Sequence, residues 1–501
     1  MPAVGPALEA IADLVGRTDP SDDDALSDAL FAVSSAMVEA VVLGLDVEPG
    51  DTGPAAGPLL ARGQGVSPGV ASGIVVLNSE DLLDAAEDGT PCVLWVDQTG
   101  PADEPAIRAA VAVVTTVGGA ASHAAILARQ FGVPAVCGVG DVEYPSAAVV
   151  TVDGSTGTVV LGSGLATAPL DELPEPLATL LEWADEVVGG RVQVAVNAET
   201  AEDVHLARAM GAQAVGLCRT EHQFLGERAA LVAPLLDGTA TAEQLAEFVD
   251  VQAAALFDVL MAADGIPVKV RLLDAPAREF LPDAPPGLDG LRGARLALAR
   301  PAVAQAQATA VAQAVRQARS LGATADVSVT VPMVGRVAEF VAVRDLVREA
   351  VAEVDPTVDV AVGSMVETPA AAMSAGLLAE QADYLCVGTN DLTALLFGLD
   401  RDATSGLPSS VDVPSGLDPF VTLDEDVLAP LLGLVRDFVE SSAPGTPLTA
   451  CGEVIGDATG GLGYQSLFDE VSASPRRIPA LRLAVAVALM ADALAESDED
   501  R

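Results

Sequence analysis

Histidine is scarce in this chain, which has only three, and one of them stands at the start of a helix. The stretch TTVGGAASHAAILARQFGV, residues 115–133, places His123 after Gly118 and Gly119 and directly behind Ser122, a residue suited to cap the amphipathic helix that HAAILARQF begins. An imidazole there lies at the positive end of a helix, beside flexible glycine amides. That position stabilises an anion, such as a phosphoryl group carried on the ring. The residues alone leave two readings open, a phosphate-carrying histidine or a solvated helix start. A second group of chemistry-bearing residues is spread over positions 191–501, each closing a short apolar run: Asn197, Arg219, Arg271, Glu367, Asn390, Asp391 and Cys451. Guanidinium groups such as those of Arg219 and Arg271 grip phosphates through several planar donors. Glu367 and Asp391 offer hard oxygen ligands that, with substrate oxygens and waters, suit Mg²⁺.

The apolar runs explain how these residues meet. RVQVAVNAE, AVGLCRTE, PVKVRLLD, VSVTVPMVG, VDVAVGSMVE, DYLCVGTND, TPLTACGE and EVSASP recur with helical stretches between them, each near-continuously apolar as parallel strands buried on both faces are. Such a series predicts an α/β fold, a closed (β/α)₈ barrel over residues 191–501, whose functional groups belong at the C-terminal strand ends. Before it, residues 59–165 form a compact unit with β runs at both ends and the His123 helix between. Residues 166–190 are a connector with a helix. Residues 1–58 are a helical segment, broken at RTDPSDDD, that ends in the Pro/Gly linker VEPGDTGPAAGP at 47–58. The linkers at 47–58 and 163–190 supply freedom for the middle unit to move.

The bulk composition narrows the partners. Against 25 basic residues stand 72 acidic ones, a net charge of −47 that repels nucleic acid and anionic membranes. Lys269 is the single lysine. No apolar run reaches membrane-spanning length and the N-terminus lacks the basic start of a signal peptide, so a cytoplasmic protein is expected. The five cysteines, Cys92, Cys137, Cys218, Cys386 and Cys451, have no metal-ligand spacing and read as reduced thiols, Cys386 as a buried one.

GGAASHAAILARQFGVPAV resembles the phosphohistidine signature of the phosphoenolpyruvate-utilising enzymes, and GVSPGVASG and VDGSTGTV resemble the flanks of that family's swivelling domain. GLCRTEHQFL, VRLLDAPAREFLP, LRGARL, VGSMVETPAAA, VGTNDLTALLFGLDRDA, DPFVTLD, ACGEVIGD and SASPRRIPALRLA then follow in family order, so that the resemblance covers residues 60–490. GLCRTEH and RLLD…EFLP look closest to the pyruvate, phosphate dikinase branch. The resemblance implies a TIM barrel preceded by a small swivelling phosphohistidine domain of β/β/α type. It implies a transferase (kinase) chemistry that interconverts phosphoenolpyruvate and pyruvate through phosphorylated His123. Arg219, Arg271 and Arg401 would hold the phosphate, with Arg292 and Arg295 adding charge. Glu367 and Asp391 would hold Mg²⁺. Gly388, Thr389 and Asn390 would contact the substrate's carboxylate and phosphate, and Cys451 would protonate the enolate carbon. A thiol suits that step, because its reference pKa permits proton exchange with a reactive carbon. His222 would line the mouth, whereas His205 reads as structural.

The chain also departs from the family pattern. Residues 1–58 contain nothing like a phosphate-binding loop, so the pyruvate half-reaction alone is expected here, with a separate nucleotide-binding or phosphocarrier protein as partner and a homodimeric assembly. Ala121, Ala370 and Ala394 replace a threonine, an arginine and a glutamine usual in the family, and CGEVIGD lacks the family's His-Gly. Two alternatives stand beside the enzyme: a non-catalytic phosphoenolpyruvate sensor, and an enzyme I-like donor that passes phosphate to another protein.

Overall fold

In a computed structural model, which describes residues 5–45, 58–100, 103–119, 122–142, 148–164, 169–224, 226–281, 284–285, 287–288, 290–399, 419–420, 423–456 and 464–499, all eight apolar runs become strands of one closed barrel. Eight earlier strands make a separate sheet: β1 (Leu59–Arg62), β2 (Gln64–Ser67), β3 (Val70–Val76), β4 (Cys92–Val96), β5 (Ala112–Thr115), β6 (Ala135–Cys137), β7 (Val149–Asp153) and β8 (Thr158–Leu161). Their order across the sheet is β1-β8-β7-β3-β4-β5-β6-β2. The barrel is built of β9 (Gln193–Asn197), β10 (Ala214–Arg219), β11 (Val268–Arg271), β12 (Val327–Val331), β13 (Ala361–Val366), β14 (Leu385–Gly388), β15 (Leu448–Cys451) and β16 (Glu470–Ala473). Every neighbour pairs in parallel and β16 closes on β9. The expected α/β class, with a smaller sheet unit ahead of a (β/α)₈ barrel, is therefore what the chain adopts.

The N-terminal segment forms three helices, α1 (Pro6–Arg17), α2 (Asp23–Ala32) and α3 (Ser35–Val42). The break between α1 and α2 was legible at RTDPSDDD. The second break is made by Ser34, whose hydroxyl caps α3 by accepting the Met37 N–H at 3.2 Å. Ile11, Leu30 and Val38 share one continuous core with Leu177 and Leu181 of the connector helix (Glu175–Val188), with Val194 of β9 and with Leu481 of the last helix. That last helix, Ile478–Glu499, corrects one expectation: the stretch Pro475–Ala495 is long and apolar enough to cross a membrane by composition alone. Its apolarity has another use here, since 67% of its most apolar 18 residues are buried inside the fold.

Candidate active site at the barrel mouth

The strand register brings the two arginines together. Arg219 ends β10 directly opposite Arg271, which ends β11. Arg219 donates to Glu199 at 3.1 Å, and Arg271 pairs with Glu221 and, at 3.5 Å, with Asp274. Burial alone would lower the Arg271 pKa, but Glu221, Asp274, Glu367 and Asp391 more than offset it and fix the positive charge. The Nε–H of Arg271 is buried with no hydrogen-bond partner among the described residues, an unused donor at an oxygen-rich mouth.

Beside the arginines three buried carboxylates converge. Asp274, Glu367 and Asp391 each offer an oxygen, and these oxygens lie within 4.8 Å of one another. Arg292 bridges two of them, donating to Asp274 at 2.7 Å and to Asp391 at 3.0 Å. Burial first, then repulsion from Asp274 and Asp391, holds Glu367 well above the usual carboxylate range despite Arg271 and Arg292. Burial likewise raises Asp274, against the pull of Arg292 and Arg271. Three oxygen donors that resist carrying their charges together fit a hard divalent cation, which would relieve that repulsion.

The surroundings hold Glu367 in place. Its Oε1 accepts the Met333 N–H at 2.6 Å, and Met333 is a non-glycine residue at φ 51°, a strained backbone maintained beside the carboxylates. A Cβ on Gly388 would stand 2.9 Å from Glu367 Oε2, so the absence of a side chain there leaves room for the carboxylate. The next two residues brace the turn after β15. Thr389 donates its hydroxyl to the Cys451 carbonyl at 3.2 Å, and Asn390 Oδ1 accepts the Glu453 N–H at 2.9 Å. A Cβ at Gly452, whose φ is +121°, would collide with the Thr389 hydroxyl. Cys451 itself is buried at the end of β15, 3.8 Å from Cys386, and its contact with Cys386 and its burial keep it protonated well above the ordinary thiol range.

His123 begins its helix, His123–Phe131, as expected. Ser122 caps it, accepting the Ala125 N–H at 3.4 Å while donating to the Gly119 carbonyl at 2.7 Å. Thr99 lies 3.1 Å from His123 Nδ1. The small domain is docked on the barrel through charged pairs that sequence reading missed. Arg129, in the last turn of the same helix, pairs with Glu453 at 3.0 Å, and Arg108 pairs with Asp203 at 3.0 Å. Glu104 stands 3.3 Å from His222 Nδ1. Burial first, then Arg219, His123, Arg271 and Arg108, hold His222 well below its ordinary pKa and so neutral.

Glu104 is expected to make this docking pH-sensitive. Burial, Glu199 and Asp203 raise its pKa to about 8 against the pull of Arg108 and Arg219. A carboxyl raised on docking favours the docked state at low pH, and that preference is lost as pH rises from the free value of 4.5 towards about 8. His222, lowered in part by His123 and Arg108 of the small domain, acts in the opposite sense below 6.5, so the net loss is expected between 6.5 and about 8. Energy transfer between fluorophores on the two domains is expected to report weakening by up to about tenfold per pH unit in that window. Glu104→Gln should flatten the profile, and an unchanged slope would rule Glu104 out as its source.

The structure thus gathers Arg219, Arg271, Glu367, Gly388, Thr389, Asn390, Asp391 and Cys451 at one end of the barrel, with His222 beside them. Arg401 and Ala121 lie outside the described residues. Arg295 does not join the mouth: its side chain is 60% exposed and pairs with Glu339. His205 is exposed on its helix rather than part of the core. Asp274, Glu221 and Glu199 were missed as site residues. Asp274 had a signal, as the acid that closes the apolar run PVKVRLLD.

The profile of a family described as PEP-utilising enzyme, PEP-binding domain, matches residues 176–490, and that of the PEP-utilising enzyme mobile domain matches residues 89–157. The chain is 33% identical over 485 residues to a pyruvate, phosphate dikinase of Rhizobium meliloti (strain 1021), covering 86% of this chain and 53% of that protein. It is 32% identical over 490 residues to the chloroplastic pyruvate, phosphate dikinase 1 of Arabidopsis thaliana, covering 86% and 50%. The chain spans about half the length of the curated relatives it matches. A citrate lyase structure from Burkholderia xenovorans LB400 shares 14% identity at a TM-score of 0.33, over 61% of this chain and 83% of that one, a likeness too slight to bear on function. With a matching mobile domain that carries His123 and a matching barrel that carries the arginines and carboxylates, the chain belongs to the phosphoenolpyruvate-utilising enzymes.

Proposed function

We propose that the chain carries the pyruvate half of a phosphotransferase reaction, moving a phosphoryl group between phosphoenolpyruvate at the barrel mouth and His123. The observation that carries this reading is the register pair Arg219 and Arg271, the latter with an unused buried donor, beside three convergent carboxylates. The arginines hold and neutralise the phosphoryl oxygens through rigid multi-donor contacts. Glu367 and Asp391, with Asp274 beside them, would hold Mg²⁺, which supplies further neutralisation of developing charge when bound. The helix start at Ser122–His123 presents the imidazole, and its dipole favours the phosphorylated ring. Phosphoryl transfer breaks the bond between the substrate's enol oxygen and phosphorus as the bond from the ring nitrogen forms, which leaves an enolate. Cys451 then gives its proton to the enolate carbon to make pyruvate, and the same steps reversed make phosphoenolpyruvate. We further propose that a nucleotide-binding unit completes the relay, since the relatives are named for a dikinase activity.

Isotope exchange tests this reading without the rest of the relay. Labelled pyruvate, mixed with unlabelled phosphoenolpyruvate, Mg²⁺ and the protein, should pass its label into phosphoenolpyruvate, whereas His123→Ala should leave the pools separate. Exchange that persists in that variant would exclude His123 as the carrier, and binding without any exchange would favour the sensor.

A further inference from the structure

Two of the five cysteines meet inside the barrel. Cys386, in β14, and Cys451, at the end of the neighbouring β15, have sulfurs 3.8 Å apart, and both side chains are buried with Leu217, Met365 and Tyr384. The register pairs Cys386 with Thr449 and Gly388 with Cys451, so Cys386 lies two residues deeper on the same interior face. Cys92, Cys137 and Cys218 lie elsewhere, the first two in the small domain and the third in β10. A disulfide bond is about 2.05 Å long, so the sulfurs need to close by about 1.8 Å, within reach of side-chain rotation and slight strand adjustment. The reaction assigned above has no use for Cys386.

We propose that Cys386 and Cys451 form a reversible disulfide that withdraws the thiol acid and switches the site off under oxidation. The oxidant is a peroxide. The Cys386 thiolate attacks one peroxide oxygen. The O–O bond breaks and a sulfenic acid remains on Cys386. The Cys451 sulfur then attacks that sulfur, the S–S bond forms, and the S–O bond breaks. The departing hydroxide takes the proton from Cys451. Two thiols and one hydrogen peroxide thus give one disulfide and two waters, and a thiol reductant reverses the change by exchange. Cys386 is suited to be the thiol that the peroxide oxidises first. Its hydrogen bond to Cys451, then that to Thr449 and the charge of Lys269, lower its pKa against burial. Lys269 is itself anchored in the barrel by Glu470 at 2.5 Å. The bond rests on sulfur geometry alone, while its effect on turnover rests on the acid role proposed for Cys451.

The test treats the whole protein with mild hydrogen peroxide, blocks free thiols, digests it without reductant and maps peptides by mass spectrometry. A cross-linked pair containing residues 386 and 451 is expected, together with a loss of pyruvate–phosphoenolpyruvate exchange of more than about tenfold that dithiothreitol reverses. Cys386→Ser should keep its exchange both before and after treatment, because the thiol that the peroxide oxidises first is gone and Cys451 stays protonated. Cys386→Ala provides the same test with a smaller side chain. Absence of the linked pair, or dithiothreitol-reversible loss in both Cys386 variants, would overturn the disulfide. A linked pair with undiminished exchange would overturn the switch through the acid role of Cys451, while leaving the phosphoryl carrier His123 untouched.

Discussion

Glu367→Gln is expected to lower metal-dependent exchange between pyruvate and phosphoenolpyruvate by at least about 100-fold while leaving the barrel folded. Glu367 is 1% exposed, and its carboxylate is one of three that converge within 4.8 Å. Replacing it by the isosteric amide removes one formal charge from the trio and keeps an oxygen to accept the Met333 N–H. The same change relieves the repulsion that pushes its pKa up, so the metal-free variant should melt no lower than the unaltered protein. Two readings therefore move apart: apparent metal affinity and exchange collapse, and thermal stability without metal holds or rises. A variant with unaltered metal dependence would remove Glu367 from the cation site.

Cys451→Ala is the second large effect. In deuterated water the protein should place deuterium in the methyl group of pyruvate, since the thiol hands a solvent-derived proton to the enolate carbon. Removal of a positioned general acid costs about 10²- to 10⁴-fold, and deuterium incorporation should fall by that much. Phosphoryl transfer to His123 precedes the proton step and does not involve the sulfur, so a single-turnover measurement of phosphoprotein should fall far less. The split between the two readouts identifies a proton donor rather than a structural residue. Equal losses in both would assign Cys451 to packing alone.

The barrel was legible because its strands are buried on both faces: AVGLC and LCVG read as unbroken apolar runs, and each ends where a polar residue, Arg219 or Thr389, meets the mouth. The His123 helix was legible from Ser122 and the paired glycines, whose roles are local. Contacts made across the fold were not. Asp274 lies beyond the end of β11, and nothing in its neighbourhood shows that Arg292 will tie it to Asp391. Arg129 and Glu453 are 324 positions apart, and their pairing exists only because the small domain is docked. Glu104 looks like any acid at the start of a short surface helix until that docking buries it against His222. The apolar length of the last helix was overlooked, and by composition a strongly apolar helix suits the inside of a protein as well as a lipid bilayer.

The central claim is that phosphate passes through one histidine, and the chain's three histidines allow a direct decision. His205 is exposed on a barrel helix, His222 is largely buried and held neutral, and His123 alone stands at a capped helix start. The protein should be incubated with phosphoenolpyruvate labelled in its phosphoryl group and with Mg²⁺, then digested at alkaline pH and mapped by mass spectrometry. The account predicts one acid-labile phosphohistidine at His123, discharged again by added pyruvate. Label on His205 or His222, or a protein that binds phosphoenolpyruvate and gains no phosphate, would contradict it.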